Sequence, residues 1–143
     1  MILALDLEGT LISNAVSQFP RNGLFDFLTW AHSKFSRIVL FTAVKKELAK
    51  NIIEDLSIRG DAPNWFAHIE IVDWIGKKKD LSFIKNCTIN QVVIVDDQEI
   101  YIVNEQKNQW ISIPEYSRPF SNKDNHLNQV ILKILEKYPE LNN

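Results

Sequence analysis

The stretch Met1-Ile-Leu-Ala-Leu-Asp6-Leu-Glu8-Gly9-Thr10 decides how the rest of the chain is read. An apolar run of strand length ends on a carboxylate, a second carboxylate follows two residues later, and Gly-Thr closes the segment. Continuous apolar strands of this kind belong to parallel sheets buried on both faces. In open α/β sheets the ligand crevice lies beyond the carboxyl ends of the strands, which puts Asp6 where chemistry is usually done. Gly9 permits a tight turn, so Asp6 and Glu8 are expected to face one small volume. Two carboxylates held together repel. A hard divalent cation, bound by one or two carboxylates plus a substrate phosphate, relieves that repulsion. Taken alone, the stretch also reads as a plain first strand followed by an acidic turn.

Working outward, three more apolar runs read as strands. Arg37–Phe41 ends at Thr42-Ala43, Gln91–Val95 ends at Asp96-Asp97-Gln98, and Gln109–Ile113 is stopped by Pro114. Between them, Leu24, Phe25, Phe27, Leu28, Ala31 and Phe35 recur at three- and four-residue steps, the spacing of an amphipathic helix. Lys45 to Leu56 is a second helix with Leu48, Ile52, Ile53 and Leu56 on one face. Residues 11–20, broken by Pro20, read as a loop. Gly60 to Trp74 is irregular, with a short alternating strand at His68–Asp73. Trp65, Phe66 and Trp74 are read as packing residues, an exposed pair of which would border a cleft.

After the Lys77-Lys78-Lys79 turn, Asp80 is the expected N-cap of a short helix to Lys85. Ser117 to Phe120 is a connector. Ser121-Asn-Lys-Asp124 resembles a capping box opening a last helix striped by Leu127, Val130, Ile131, Ile134 and Leu135. His32 and His126 are expected on solvated faces. The alternation of strand and helix predicts an α/β protein, a Rossmann-like three-layer α/β/α sandwich with a mainly parallel sheet.

The bulk properties narrow the function classes. A chain of 143 residues is expected to form one domain over 1–143, with room for a small insert at about 57–76. Sixteen basic against 18 acidic residues leave a net charge of −2, which gives no polycationic case for nucleic acid or anionic membrane. The single cysteine, Cys87, excludes an internal disulfide and has no ligand partner at metal spacing. No apolar segment approaches the ~20 residues of a membrane span. The first residues lack the basic region and cleavage site of a signal peptide. The expectation is a soluble, cytoplasmic protein; the oligomeric state is not legible.

Three strands thus end at Asp6, Thr42 and Asp96, with a lysine delivered by the Lys77–Lys79 turn. That is a kit for phosphoryl transfer through an aspartyl-phosphate. In these residues the chain resembles the haloacid dehalogenase-like superfamily, in its phosphatase branch. It is most similar to the small phosphatases related to those acting on the C-terminal tail of RNA polymerase II, the NLI-interacting-factor-like group. The matching stretches are Asp6-Leu-Glu-Gly-Thr-Leu11, Phe41-Thr-Ala43, Lys79-Asp-Leu-Ser82 and Asp96-Asp97, in that order. The similarity covers roughly residues 1 to 113.

The resemblance implies Mg2+-dependent hydrolysis of a phosphomonoester. Asp6 would attack phosphorus, and Asp6, Asp96 and the backbone carbonyl of Glu8 would hold Mg2+, with Asp97 in the outer shell. Thr42 and Lys79 would bind the phosphoryl oxygens. Glu8 stands where the family has aspartate as general acid and base. Its carboxylate keeps the chemistry available, but its extra methylene moves the acid by more than ~1 Å. A catalytically weakened relative that binds protein or phosphopeptide is therefore the competing reading. The short segments between motifs imply a minimal cap or none, hence an open site for a phosphorylated protein segment or a small phosphate ester.

Overall fold

A computed structural model describes residues 1–143. Five strands, β1 (Ile2–Leu5), β2 (Arg37–Leu40), β3 (Glu70–Ile71), β4 (Val92–Asp96) and β5 (Trp110–Ser112), form one sheet in the order β3-β2-β1-β4-β5. Every pairing in it is parallel. The strand expected at His68–Asp73 shrinks to two paired residues at the sheet edge. The two adjacent central strands are the most buried, and every residue of β1 and β4 is buried.

Side chains alternate across the sheet. Leu3, Leu5, Val93 and Val95 join the larger core, while Ile2, Ala4, Val92 and Ile94 join the smaller one on the opposite face. All three α-helices cover the larger core: α1 (Leu24–Lys34) through Phe27 and Leu28, α2 (Lys46–Ile58) through Ile52 and Ile53, and α3 (His126–Lys137) through Val130 and Ile134. The other outer layer consists of 3-10 turns. Leu81, Ile84 and Ile102 from that layer close the smaller core. Apolar residues spaced too closely for a full helical stripe suffice there, because each turn buries only one or two of them.

The expected helix from Asp80 to Lys85 is a 3-10 turn, Leu81–Phe83, but Asp80 does cap it, its carboxylate accepting the Ser82 N–H at 2.9 Å. At the other end of the chain the capping reading shifts. α3 starts at His126 with Asn125 as N-cap, and Ser121 instead closes a local turn by accepting the Lys123 N–H. His126, expected on a solvated face, is half-buried. Its ring lies 3.1 Å from the Asp124 carboxylate and 3.1 Å from the Arg21 guanidinium. His32 is exposed as expected, but stacks on Trp65 at 4.9 Å. No helix is long and apolar enough to cross a membrane.

Candidate active site

Register places the first two site carboxylates. Leu5 pairs with Val95, and the Asp6 N–H donates to the Val95 carbonyl at 3.0 Å, so Asp6 and Asp96 leave adjacent central strands on the same face. That face carries the 3-10 layer, and Lys79 comes from it, anchored by its N–H to the Tyr101 carbonyl at 2.7 Å. The Lys79 ammonium reaches both acids, at 2.8 Å from Asp6 Oδ1 and 2.5 Å from Asp96 Oδ2. It also lies 4.7 Å from the centre of the Tyr101 ring. All three charged side chains are buried.

The other Asp6 oxygen is held by the turn that follows. The Thr10 hydroxyl lies 2.8 Å from Asp6 Oδ2 and 3.1 Å from Asp97 Oδ1. Gln98 completes the set, its backbone N–H donating to Asp96 at 2.9 Å and its side-chain amide to Asp97 at 2.8 Å. Gly9 is required in this turn twice over. Its φ of +76° is left-handed, and a Cβ there would overlap the Asp97 carboxylate.

Electrostatically the cluster has too little positive charge. Burial pushes the Asp6 carboxyl well above the usual carboxylate range; Lys79 pulls it back down and the Asp96 charge pushes it up again. Asp96 is raised by burial against the same pull from Lys79. Burial by itself would lower Lys79, but Asp6 and Asp96 outweigh it and raise its pKa. One lysine thus serves two buried carboxylates with a third alongside. Oxygens of Asp6, Asp96 and Asp97 lie within 4.8 Å of one another. The donors are hard oxygens with excess negative charge, which fits Mg2+ rather than a thiophilic metal. The Glu8 carbonyl, next to them in the chain, accepts no hydrogen bond, whereas the Leu7 carbonyl takes the N–H groups of Thr10, Leu11 and Ile12.

Asp6, Glu8, Thr42 and Asp97 all line one cleft of about 220 Å³, with Gln98, Tyr101 and Glu115 on its walls. Thr42 is two residues beyond β2, and its hydroxyl accepts the Val44 N–H at 3.0 Å. The Glu8 carboxylate is engaged by the loop that follows it, accepting the Ala15 N–H at 2.6 Å. Lys79 is in the cluster rather than on the cleft wall, and Lys77 and Lys78 are exposed. Sequence reasoning assigned nothing to the Thr10 hydroxyl, Gln98 or Tyr101. Thr10 and Gln98 sit inside the quoted motifs, so proximity to the acids was available as a signal. Tyr101 carries none.

Arg21 was also missed. It is 2% exposed, and all its donors are taken. The guanidinium donates to the carbonyls of Gly9, Thr10 and Pro114 at 3.1, 3.2 and 2.7 Å, and to both Asp124 oxygens at 3.1–3.2 Å. It holds the Gly9–Thr10 turn, and through Thr10 the Asp6 carboxylate.

An all-parallel sheet with acids at the ends of its central strands, set under an open cleft, defines an α/β protein whose candidate site lies at the carboxyl edge of the sheet. The chain belongs to the NLI interacting factor-like phosphatase family, which it matches over residues 1–143. Its fold is similar to that of the fission yeast RNA polymerase II CTD phosphatase Fcp1, solved with beryllium fluoride bound. The TM-score is 0.57 at 16% identity, over 99% of this chain and 52% of that one. The chain thus spans about half the length of that relative. No curated protein matches it in sequence.

Proposed function

We propose that this protein hydrolyses a phosphomonoester through an aspartyl-phosphate on Asp6, and that residues 1–143 act as one such domain. The observation that carries the reading is the clamping of Asp6. One carboxylate oxygen is held by Lys79 and the other by Thr10, at 2.8 Å each, at the floor of the cleft. A nucleophile fixed in both position and rotation needs little reorganisation to attack. Asp6 forms the new bond to phosphorus as the bond to the leaving oxygen breaks, and Glu8 supplies the proton that oxygen needs. Glu8 then takes a proton from the water that attacks phosphorus, which frees Asp6 and releases inorganic phosphate. Lys79 and the Thr42 hydroxyl stabilise the equatorial oxygens. Asp6, Asp96 and the Glu8 carbonyl would hold Mg2+, with Asp97 supporting its waters, and the ion when bound neutralises phosphate charge and acts as a Lewis acid.

The hold of the Ala15 N–H on Glu8 favours a second reading, a weakened enzyme retained for binding. Release of phosphate from p-nitrophenyl phosphate in Mg2+, with Asp6→Asn as blank and Glu8→Asp as comparison, separates the two. The catalytic reading expects turnover that disappears in Asp6→Asn. Turnover confined to Glu8→Asp would identify the weakened relative.

A further inference from the structure

Between Asp6 and α1 the chain forms a loop, residues 13–19, that closes on itself. The Asn14 side-chain carbonyl accepts the N–H groups of Val16 and Ser17 at 2.9 and 2.8 Å, and the Asn14 backbone carbonyl accepts the Gln18 N–H at 2.9 Å. Ser13 completes the closure. Its hydroxyl accepts the Phe19 N–H at 2.9 Å, and its own N–H donates to the Phe19 carbonyl at 2.9 Å. Every N–H from Val16 to Phe19 is thereby used inside the loop. The Ala15 N–H is not: it leaves the loop and meets Glu8 Oε2 at 2.6 Å. An Asx turn of this kind holds its backbone without help from outside, so the donor it presents to Glu8 is preformed. Asn14 itself is exposed and lines the Asp6 cleft.

Only one oxygen of Glu8 is committed. Oε1 accepts no hydrogen bond from the protein, and it belongs to a side chain that lines the same cleft as Asp6. A contact from an N–H to a carboxylate is charge-assisted and short. It fixes the side chain without occupying the atom that would move a proton. Glutamate has one more rotatable bond than aspartate, and without an anchor Glu8 would spread over several rotamers. An aspartate in the same place would stop more than ~1 Å short, which takes the 2.6 Å contact out of hydrogen-bond range. The loop and the longer acid therefore match: the Ala15 N–H stands where glutamate reaches and aspartate does not.

We propose that Asn14 is a positioning residue for proton transfer: by folding the 13–19 loop it aims the Ala15 N–H at Glu8 Oε2 and so sets Glu8 Oε1 toward the reacting ester. This rests on the phosphatase reading and deepens it. As the bond from phosphorus to the leaving oxygen breaks, Oε1 gives that oxygen its proton. Oε1 then takes a proton from the water whose oxygen bonds to phosphorus, which returns Glu8 to its starting state. Oε2 keeps the Ala15 N–H in both steps. An alkoxide leaves poorly and needs that proton, whereas a nitrophenolate leaves without it. The loop therefore matters for the departure of alkyl groups and little for that of p-nitrophenol.

The test measures kcat/KM, which reports departure of the leaving group, on glycerol 2-phosphate and on p-nitrophenyl phosphate. Asn14→Ala should lower the alkyl ester about 10-fold relative to the aryl ester. Asn14→Asp keeps both side-chain acceptances and should restore the alkyl ester to within about 2-fold of the native value. Glu8→Asp should lose about 10-fold on the alkyl ester. Adding Asn14→Ala to it should lose nothing further there, because the contact is already gone. A drop shared equally by the two esters, or Asn14→Asp no better than Asn14→Ala, would overturn the proposal. So would an undiminished effect of Asn14→Ala in the Glu8→Asp protein, or Glu8→Asp as fast as the native protein. Hydrogen exchange at the Ala15 amide, followed by NMR, reads the contact without turnover. Its protection should fall about 10-fold in Asn14→Ala and in Glu8→Asp, while the β4 amides keep theirs. That result, with no turnover of any substrate by the native protein, supports the positioning of Glu8 and strikes only the catalytic reading. Ala15 exchange unchanged by either variant removes the proposal.

Discussion

Lys79 and Arg21 are both almost wholly buried, at 1% and 2% exposure, and both tie distant segments to the turn that carries Asp6. Arg21 meets one carboxylate and three carbonyls, so its charge and its hydrogen bonds are both satisfied. Lys79 meets two buried carboxylates with Asp97 close by, and the surroundings stay short of positive charge. A balanced buried cation holds a fold together. An unbalanced one, outnumbered by carboxylates, sits where a further cation fits, as a metal ion would. On that difference we propose a structural role for Arg21 and a chemical one for Lys79.

The sharpest way to break that contrast is substitution of each cation by methionine. Lys79→Met is expected to lower turnover of p-nitrophenyl phosphate on the order of 1000-fold. Arg21→Met leaves Asp124 with only His126 beside it and removes the donor to three carbonyls, and should lose about 3–5 kcal/mol of stability in urea melts. Equal unfolding of both variants, with no separate loss of turnover in Lys79→Met, would erase the distinction.

A smaller effect probes the turn both cations serve. Gly9→Ala must adopt a left-handed φ and displace the Asp97 carboxylate. The backbone term alone is about 1–2 kcal/mol, and turnover should fall with it. A variant with native stability and native turnover would show that the turn is not held as described.

The smallest effect concerns acid. Burial would raise the Asp124 carboxyl, but hydrogen bonds from Arg21 and His126 outweigh it and hold the pKa below its usual 3.8. A lowered folded pKa adds stability above the unfolded value, and that stability is lost as pH falls through the folded pKa. The stability gap between the native protein and Asp124→Asn should therefore be flat above about pH 4 and narrow below it. A gap that stays constant down to pH 2 would place the Arg21 cluster outside the acid response.

Much of this layout is legible in the residues because the chemistry sits at the ends of the most apolar runs. Asp6 and Asp96 follow strands with no polar residue, and the parallel register then fixes their neighbourhood without further information. Arg21 is illegible for the opposite reason. Its partners Pro114 and Asp124 lie 93 and 103 residues away, so no local pattern distinguishes it from a solvated arginine at a helix entry. His126 was misplaced along with it. Of the 3-10 layer only the turn after Asp80 was legible, as a short helix, since Leu81 and Ile84 lie in a run too short to show which helical period it takes. β3 was legible as an alternating strand at His68–Asp73, but only two of those residues pair, because it lies at the sheet edge.

The measurement that tests the central claim most directly is the mass of the protein after acid quenching during turnover, made on Glu8→Gln so that the second step is slowed. The account predicts one added phosphate per chain, on the peptide containing Asp6, removed by hydroxylamine as an acyl phosphate should be, and absent when Asp6 is also changed to Asn. Turnover by the native protein with no such adduct in Glu8→Gln, or with the label on another residue, would contradict it.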